Sequence, residues 1–174
     1  MRRKILILGG ARSGKSSFAL AQASAMEGRK AFVATAEALD HEMNQRIANH
    51  KKERGKDWDT FEESVDVSSC LRKVAVSHEI IIVDCLTLWV SNIMMRNLHF
   101  NEYMDGLLDA IGTISPARLY IVSNEVGLGL VPENQLGRYY RDNLGLLNMR
   151  VAALATDVFF MTAGIPLQVK GSVQ

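Results

Sequence analysis

Cysteine is nearly missing from this chain: Cys70 and Cys85 are the only two among 174 residues. They are too few and too isolated for a disulfide framework or a zinc site, and read as free thiols of a reducing cytoplasm. Long apolar runs are missing as well. No stretch approaches the roughly 18–20 uninterrupted apolar residues of a membrane span. An excess of either charge is also lacking, with 20 Lys and Arg against 19 Asp and Glu, a formal net charge of +1. The basic residues are dispersed and matched by acids, which excludes the concentrated basic footprint of a nucleic-acid binder. Met-Arg-Arg-Lys at the start is followed by only a short apolar run, Ile5-Leu6-Ile7-Leu8, so a first strand is expected there and not a secretion signal. Repeats, linkers and low-complexity segments are absent, and residues 1–174 are expected to form one domain with a sizeable core.

What the chain does have begins directly after that apolar run. Residues 9–16 read Gly-Gly-Ala-Arg-Ser-Gly-Lys-Ser, and helix-like Phe18-Ala-Leu-Ala-Gln-Ala follows. This is G-x-x-x-x-G-K-[ST] between a strand and a helix, the phosphate-binding P-loop. Gly9 and Gly14 permit backbone conformations closed to residues with a Cβ, so successive N–H groups can turn toward an anion. The helix that follows adds unpaired N–H donors and a partial positive charge aimed at the same spot. Lys15 reaches the outer phosphates, and the Ser16 hydroxyl is a ligand for Mg²⁺.

Strand-like and helix-like segments alternate along the rest of the chain, the pattern of a mostly parallel sheet with helices on both faces. Strands are expected over Lys4–Leu8, Ala31–Thr35, Glu79–Asp84, Arg118–Ser123, Val158–Met161 and Leu167–Val169, the last two around a Gly164-Ile-Pro166 turn. Ile80-Ile81-Ile82-Val83 is the clearest buried strand, because four consecutive β-branched residues suit one covered on both faces. Helices are expected over Lys15–Met26, Leu39–Arg54, Leu86–Arg96, Tyr103–Ile114 and Asn134–Ala155, with a loop and a helix between Phe61 and Ser77. The apolar stripe of the last helix reads Leu136, Tyr140, Leu144, Leu147, Val151, Leu154.

Three constellations carry chemistry. Asp84 ends the buried strand, where a P-loop protein keeps the carboxylate associated with Mg²⁺ and where open α/β sheets gather ligands. The alternative role, compatible with the first, is a cap for the helix from Leu86. On the Leu39–Arg54 helix, at about 100° per residue, Leu39, Met43 and Ile47 share a stripe with Arg46, His50 and Arg54 on or beside it. The two arginines would attract phosphate and favour a neutral, nucleophilic His50 imidazole. A satisfied histidine at a helix–core boundary is the competing reading. Trp58 and Glu62 follow and are candidates for a base or ribose pocket. Asn124-Glu125 ends another strand before a glycine-rich loop, which makes Glu125 a candidate base or second acid at the metal, or else a surface acid in a tight turn. His41, His78 and His99 read as ordinary surface or boundary residues.

Taken together these segments resemble the bifunctional adenosylcobinamide kinase/adenosylcobinamide-phosphate guanylyltransferases of cobalamin biosynthesis, over nearly the whole chain. The resemblance rests on residues 9–16, Ala34-Thr35-Ala36, Glu42-Met43…Arg46-Ile47-x-x-His50, Arg54…Trp58-x-Thr60…Glu62 and Val83-Asp84-Cys85-Leu86-Thr87-Leu88-Trp89…Asn92. It continues through Ser123-Asn124-Glu125-Val126-Gly127-Leu128-Gly129…Val131-Pro132-Glu133-Asn134 and Arg138…Arg141-Asp142…Gly145…Asn148. It implies two reactions: phosphorylation of the adenosylcobinamide hydroxyl by ATP or GTP, then transfer of GMP from GTP to that phosphate, giving adenosylcobinamide-GDP and pyrophosphate. The family carries the GMP on a histidine, here His50. By the same resemblance, nucleotide contacts fall on Gly9, Gly10, Ala11, Arg12, Ser13, Gly14, Lys15, Ser16, Ala34, Thr35, Ala36, Lys51, Lys52, Glu53, Arg54, Glu62 and Asp84. Mg²⁺ is implied, with Ser16 and Asp84 as its ligands, and so are a RecA-like fold and a homotrimer in which the Asn134–Ala155 helix packs between subunits. Gly55 stands where the family often has proline, and Thr156 where alanine is common.

Two other readings use fewer of these residues. A single-activity P-loop small-molecule kinase accounts for Lys15, Ser16 and Asp84 but leaves Arg46, His50 and Arg54 without a role. A non-catalytic nucleotide-binding regulator predicts no turnover. A GTP-switched module is disfavoured because no guanine-reading Asn-Lys-x-Asp tetrapeptide occurs.

Overall fold

The structure is a computed structural model that describes residues 2–38, 45, 55 and 57–171. The expected Leu39–Arg54 helix, with Arg46, His50 and Lys51–Arg54, lies outside the described residues apart from Gln45. In chain order the elements are β1 (Arg3–Gly9), α1 (Lys15–Ser24), β2 (Lys30–Ala34), β3 (Trp58–Glu62), α2 (Val67–Val74) and β4 (Ile80–Asp84). They continue with α3 (Leu86–Met95), α4 (Phe100–Thr113), β5 (Arg118–Val122), α5 (Gln135–Leu154), β6 (Asp157–Thr162) and β7 (Ile165–Lys170).

All seven strands form one sheet in the order β3-β2-β4-β5-β1-β6-β7. Six run parallel, and β7 returns antiparallel against β6. Strand alternation divides the core in two. Ile5, Ile7, Phe32, Ile80, Ile82, Tyr120 and Val122 face one side, where Ala19 and Ala23 of α1 pack. Leu6, Ala31, Val33, Ile81, Val83, Leu119 and Ile121 face the other, under α2, α3, α4 and α5. A sheet covered on both faces explains the unbroken apolar run of β4. Among the described residues, no helix is long and apolar enough to cross a membrane.

Four expectations need correction. Trp58–Glu62 is a strand, β3, at a sheet edge; its exposed Asp59, Thr60 and Glu62 dilute the alternation that would have announced it. Trp58 lies at the start of that strand with only 8% exposure, its ring edge-on to Phe32 at 6.3 Å, so it packs in the core at the opposite end of β3 from Glu62. The final hairpin turns at Ala163-Gly164, and Pro166 sits inside β7, an edge strand that tolerates a missing N–H. In α5 only Leu144, Leu147 and Val151 of the expected stripe are fully buried, joined by Asn148, while Leu136 and Leu154 are exposed. A 20-residue helix spans about 30 Å, longer than the strands beneath it, so its ends overhang.

His78, expected as a surface or boundary residue, is buried. Its side chain is 4% exposed, with Nε2 2.9 Å from Asp59 Oδ2 and Nδ1 3.0 Å from the Val74 carbonyl. This contact ties the start of β3 to the turn before β4, at the opposite end of the sheet from the P-loop.

Candidate active site

Strand register decides which residues meet. Glu62 pairs with Ala34, Ala34 with Asp84, Asp84 with Val122 and Val122 with Ile7, so these five stand in one rank across the carboxyl ends of the parallel strands. The P-loop leaves β1 two residues beyond that rank. Residues chosen from four distant stretches of sequence therefore share one sheet edge, where α/β folds gather ligands.

Backbone geometry makes the loop. Gly9 has φ +147° and Gly14 φ +91°, both outside the ordinary range of residues with a Cβ, and Arg12 takes φ +56° between them. A Cβ on Gly9 would lie 2.5 Å from the Met161 carbonyl oxygen and 2.8 Å from Ser13 Oγ. The loop is braced from outside, because Gly164 N–H of the β6–β7 turn donates to the Ser13 carbonyl at 3.1 Å. Gly14 holds the N-cap position of α1, which has no side-chain cap and no acid in its first turn. That end of the helix keeps its N–H donors and partial positive charge for an anion.

Lys15 is buried, at 7% exposure, and folds back so that Nζ donates to the Gly10 carbonyl at 2.5 Å, with Ser13 Oγ at 3.4 Å. Burial lowers its pKa from the ordinary lysine value, and the Asp84 carboxylate nearby works in the opposite direction. Asp84 does not occupy the cap position of α3, which falls on Cys85 and has no side-chain bond. The Cys85 thiol is pushed up to about 12 by burial, reinforced by the Asp84 charge, so it stays a neutral thiol and is no nucleophile at neutral pH.

The loop after β2 is held against the loop after β4. Thr35 N–H donates to the Asp84 carbonyl at 3.1 Å, Thr35 Oγ1 donates to the Cys85 carbonyl at 2.7 Å, and the same oxygen accepts from Cys85 N–H at 2.8 Å. Glu125 enters from β5, its N–H donating to the Gly9 carbonyl at 3.1 Å while its carboxylate accepts from Gly127 N–H at 2.5 Å.

The donor set suits Mg²⁺. Among the described residues no group of three or more His, Cys, Asp and Glu forms a metal cage. One hydroxyl, Ser16, and one carboxylate, Asp84, flank the phosphate loop. A small cation that keeps several waters and takes the rest of its shell from phosphate oxygens needs no more.

A model of the family described as cobinamide kinase / cobinamide phosphate guanyltransferase, CobU, matches residues 5–169. The chain belongs to this family. Within it, the chain is 40% identical to the bifunctional adenosylcobalamin biosynthesis protein CobP of Pseudomonas aeruginosa, over 95% of this chain and 96% of that one. Its identity to the CobU proteins of Salmonella typhimurium and Escherichia coli is 34% and 32%, each over 95% of this chain and 99% of theirs. The fold is shared more widely. An ATPase of a bacterial type III secretion system superposes with a TM-score of 0.54 at 11% identity, over 92% of this chain and 51% of that one. The VirB11 ATPase of the Brucella suis type IV secretion system does so with a TM-score of 0.50 at 12% identity, over 97% and 49%.

The structure thus gathers Gly9–Ser16, Ala34–Ala36, Glu62 and Asp84 at one edge, whereas His50 and Lys51–Arg54 fall outside the described residues. Trp89 and Asn92, which the sequence offered only as part of the family pattern, and Glu37, Ser64 and Arg96, which it did not single out, brace that edge. Their partners lie 24 to 59 residues away, at separations no local pattern reveals.

Proposed function

We propose that this CobU-family chain performs both reactions of its family, phosphorylating adenosylcobinamide and then converting the phosphate to adenosylcobinamide-GDP. The observation that supports this best is the single rank of Glu62, Ala34 and Asp84 beside the P-loop, within a chain that matches bifunctional relatives over nearly its full length.

In the kinase step, the cobinamide hydroxyl oxygen attacks the γ-phosphorus of ATP or GTP, the bond from that phosphorus to the β-bridging oxygen breaks, and the nucleoside diphosphate leaves. The hydroxyl proton passes to a base or to water. The P-loop N–H groups and the open end of α1 hold the phosphates, and Lys15 exchanges its bond to the Gly10 carbonyl for phosphate oxygens. Ser16 and Asp84 would hold Mg²⁺, which neutralises charge on the phosphates when bound.

In the guanylyl step, a neutral His50 ring nitrogen attacks the α-phosphorus of GTP, pyrophosphate leaves and a P–N bond forms. An oxygen of adenosylcobinamide phosphate then attacks the same phosphorus, the P–N bond breaks and His50 is restored. Splitting the transfer lets one site hold GTP first and the acceptor second. Contacts from Ala34–Ala36, Lys51–Arg54 and Glu62 would orient the nucleotide for both steps.

The active form is a homotrimer in the cytoplasm. Leu128, Leu130, Val131, Leu136 and Tyr139, all more than half exposed around the start of α5, supply an apolar surface for packing between subunits.

The test is product analysis of the purified protein with adenosylcobinamide, GTP and Mg²⁺. Formation of adenosylcobinamide phosphate and then adenosylcobinamide-GDP, both lost in Lys15→Ala, is expected. Phosphate ester without the GDP product would reduce the chain to a kinase, and neither product in the wild type would refute the proposal.

A further inference from the structure

The exits of β2 and β3 both bear proposed nucleotide contacts; their ladder ends where Glu63 N–H donates to the Ala34 carbonyl at 2.9 Å, and the next gap lies between the Thr35 and Ser64 carbonyls. One side chain on α3 spans it. The Asn92 amide nitrogen donates to the Thr35 carbonyl at 2.8 Å and to the Ser64 carbonyl at 3.1 Å. A side-chain amide has two N–H hydrogens, so both are used. The reverse orientation would aim its oxygen at two carbonyl oxygens, which fixes the amide on chemical grounds. Asn92 is 8% exposed, a burial that only satisfied hydrogen bonds make tolerable.

Neighbours at helical spacing extend the clasp. Trp89 Nε1 donates to the Val65 carbonyl at 2.7 Å. Arg96 reaches Glu37 at 2.5 Å, and the same Glu37 oxygen accepts from Ser64 Oγ at 2.5 Å. Because α3 begins directly after Asp84 and Cys85, one helix relates the end of β4 to the exits of β2 and β3.

We propose that Asn92 is a positioning residue for nucleotide binding: it holds the Thr35 loop against the Ser64 segment that follows Glu62, just past the last β2–β3 backbone bond, without touching substrate itself. This rests on the assignment of Ala34–Ala36 and Glu62 as nucleotide contacts. Loss of the clasp frees the Thr35 and Ser64 loops beyond the paired strand ends, so the nucleotide must order them on binding. Binding weakens while the chemistry of the bound nucleotide changes little.

The test compares Asn92→Ala, Asn92→Asp and Glu62→Ala with wild type, measuring binding of a fluorescent GTP analogue, nucleotide KM and kcat in the kinase assay, and thermal stability. Loss of two buried donors is expected to raise nucleotide Kd and KM about tenfold or more, with kcat within about threefold. In Asn92→Asp the introduced carboxyl restores one donor when protonated, so its KM falls toward wild type as pH drops, relative to wild type at the same pH; Asn92→Ala shows no such recovery. Unchanged KM in both variants, or kcat falling in step with thermal stability while KM stays constant, would overturn the proposal. Should Glu62→Ala bind nucleotide as wild type does, the underlying site assignment fails; a weakened Glu62→Ala beside a normal Asn92→Asp defeats the positioning role alone. If neither Asn92 variant folds, Arg96→Ala carries the test from the exposed end of the clasp, with a smaller rise in KM expected and no rise counting against it.

Discussion

Replacing Gly9 with alanine tests the construction of the phosphate loop at its most constrained point. The added Cβ would stand 2.5 Å from the Met161 carbonyl oxygen and 2.8 Å from Ser13 Oγ, at φ +147°. Ser13 can move, but Met161 is the strand partner of Gly9 at the end of the β1–β6 ladder and cannot move alone. Backbone strain of this kind costs about 1–3 kcal/mol, and overlap with a packed neighbour about 1–3 kcal/mol more. A loss of about 2–6 kcal/mol is expected, which in a chain of this size lowers Tm by roughly 4–24 °C. Gly10→Ala is the control, since nothing lies within 4 Å of its Cβ and its φ is not in the positive range. Its stability should stay within about 0.5 kcal/mol of wild type. Calorimetry and titration with a fluorescent nucleotide read the outcome, Gly9→Ala losing both stability and affinity. Equal effects of the two substitutions would refute the reasoning.

Other expectations follow from neighbouring groups. Burial lowers the Lys15 pKa, and phosphate binding requires the charged amine, so nucleotide affinity should fall by about tenfold per pH unit above the lowered value and begin falling below the ordinary lysine range. ATP is the ligand of choice here because guanine titrates in the same region, and affinity constant up to the ordinary lysine range would contradict the assignment. Hydrogen bonds from Ser64 and Arg96 hold the Glu37 carboxyl below the usual glutamate range. Its contribution is therefore complete above the ordinary glutamate value and lost as pH falls through the lowered one. Glu37→Gln should remove that part of the acid sensitivity of Tm, and identical acid profiles would show the pair contributes nothing. Leu147→Ala empties a fully buried site under α5 and should cost about 2–5 kcal/mol in denaturant unfolding. Leu136→Glu, on the exposed apolar surface, should reduce the mass seen by light scattering from three chains toward one; an unchanged trimer would move the subunit contact elsewhere.

What could be read in advance depended on how local its cause was. The P-loop was legible because its glycines, lysine and serine act within eight consecutive residues, and β4 because Ile80–Val83 are buried on both faces. The edge strand β3 was not, since an edge carries polar residues and its pairing with β2 is made across a long connection. Trp58 was drawn toward the site by its nearness to Glu62 in sequence, but the two ends of one strand are the two ends of the sheet. The clasp of Asn92, Arg96 and Glu37 was invisible for a related reason: its partners meet only after β2, β3 and α3 are assembled.

The central claim, transfer of GMP through His50, is tested most directly by incubating the protein with Mg²⁺ and GTP labelled at the α-phosphate, followed by denaturing electrophoresis. The account predicts a protein-bound label that is acid-labile and alkali-stable, absent from His50→Ala, and discharged by adenosylcobinamide phosphate. No label in wild type under conditions where GTP demonstrably binds, or a label that persists in His50→Ala, would contradict it.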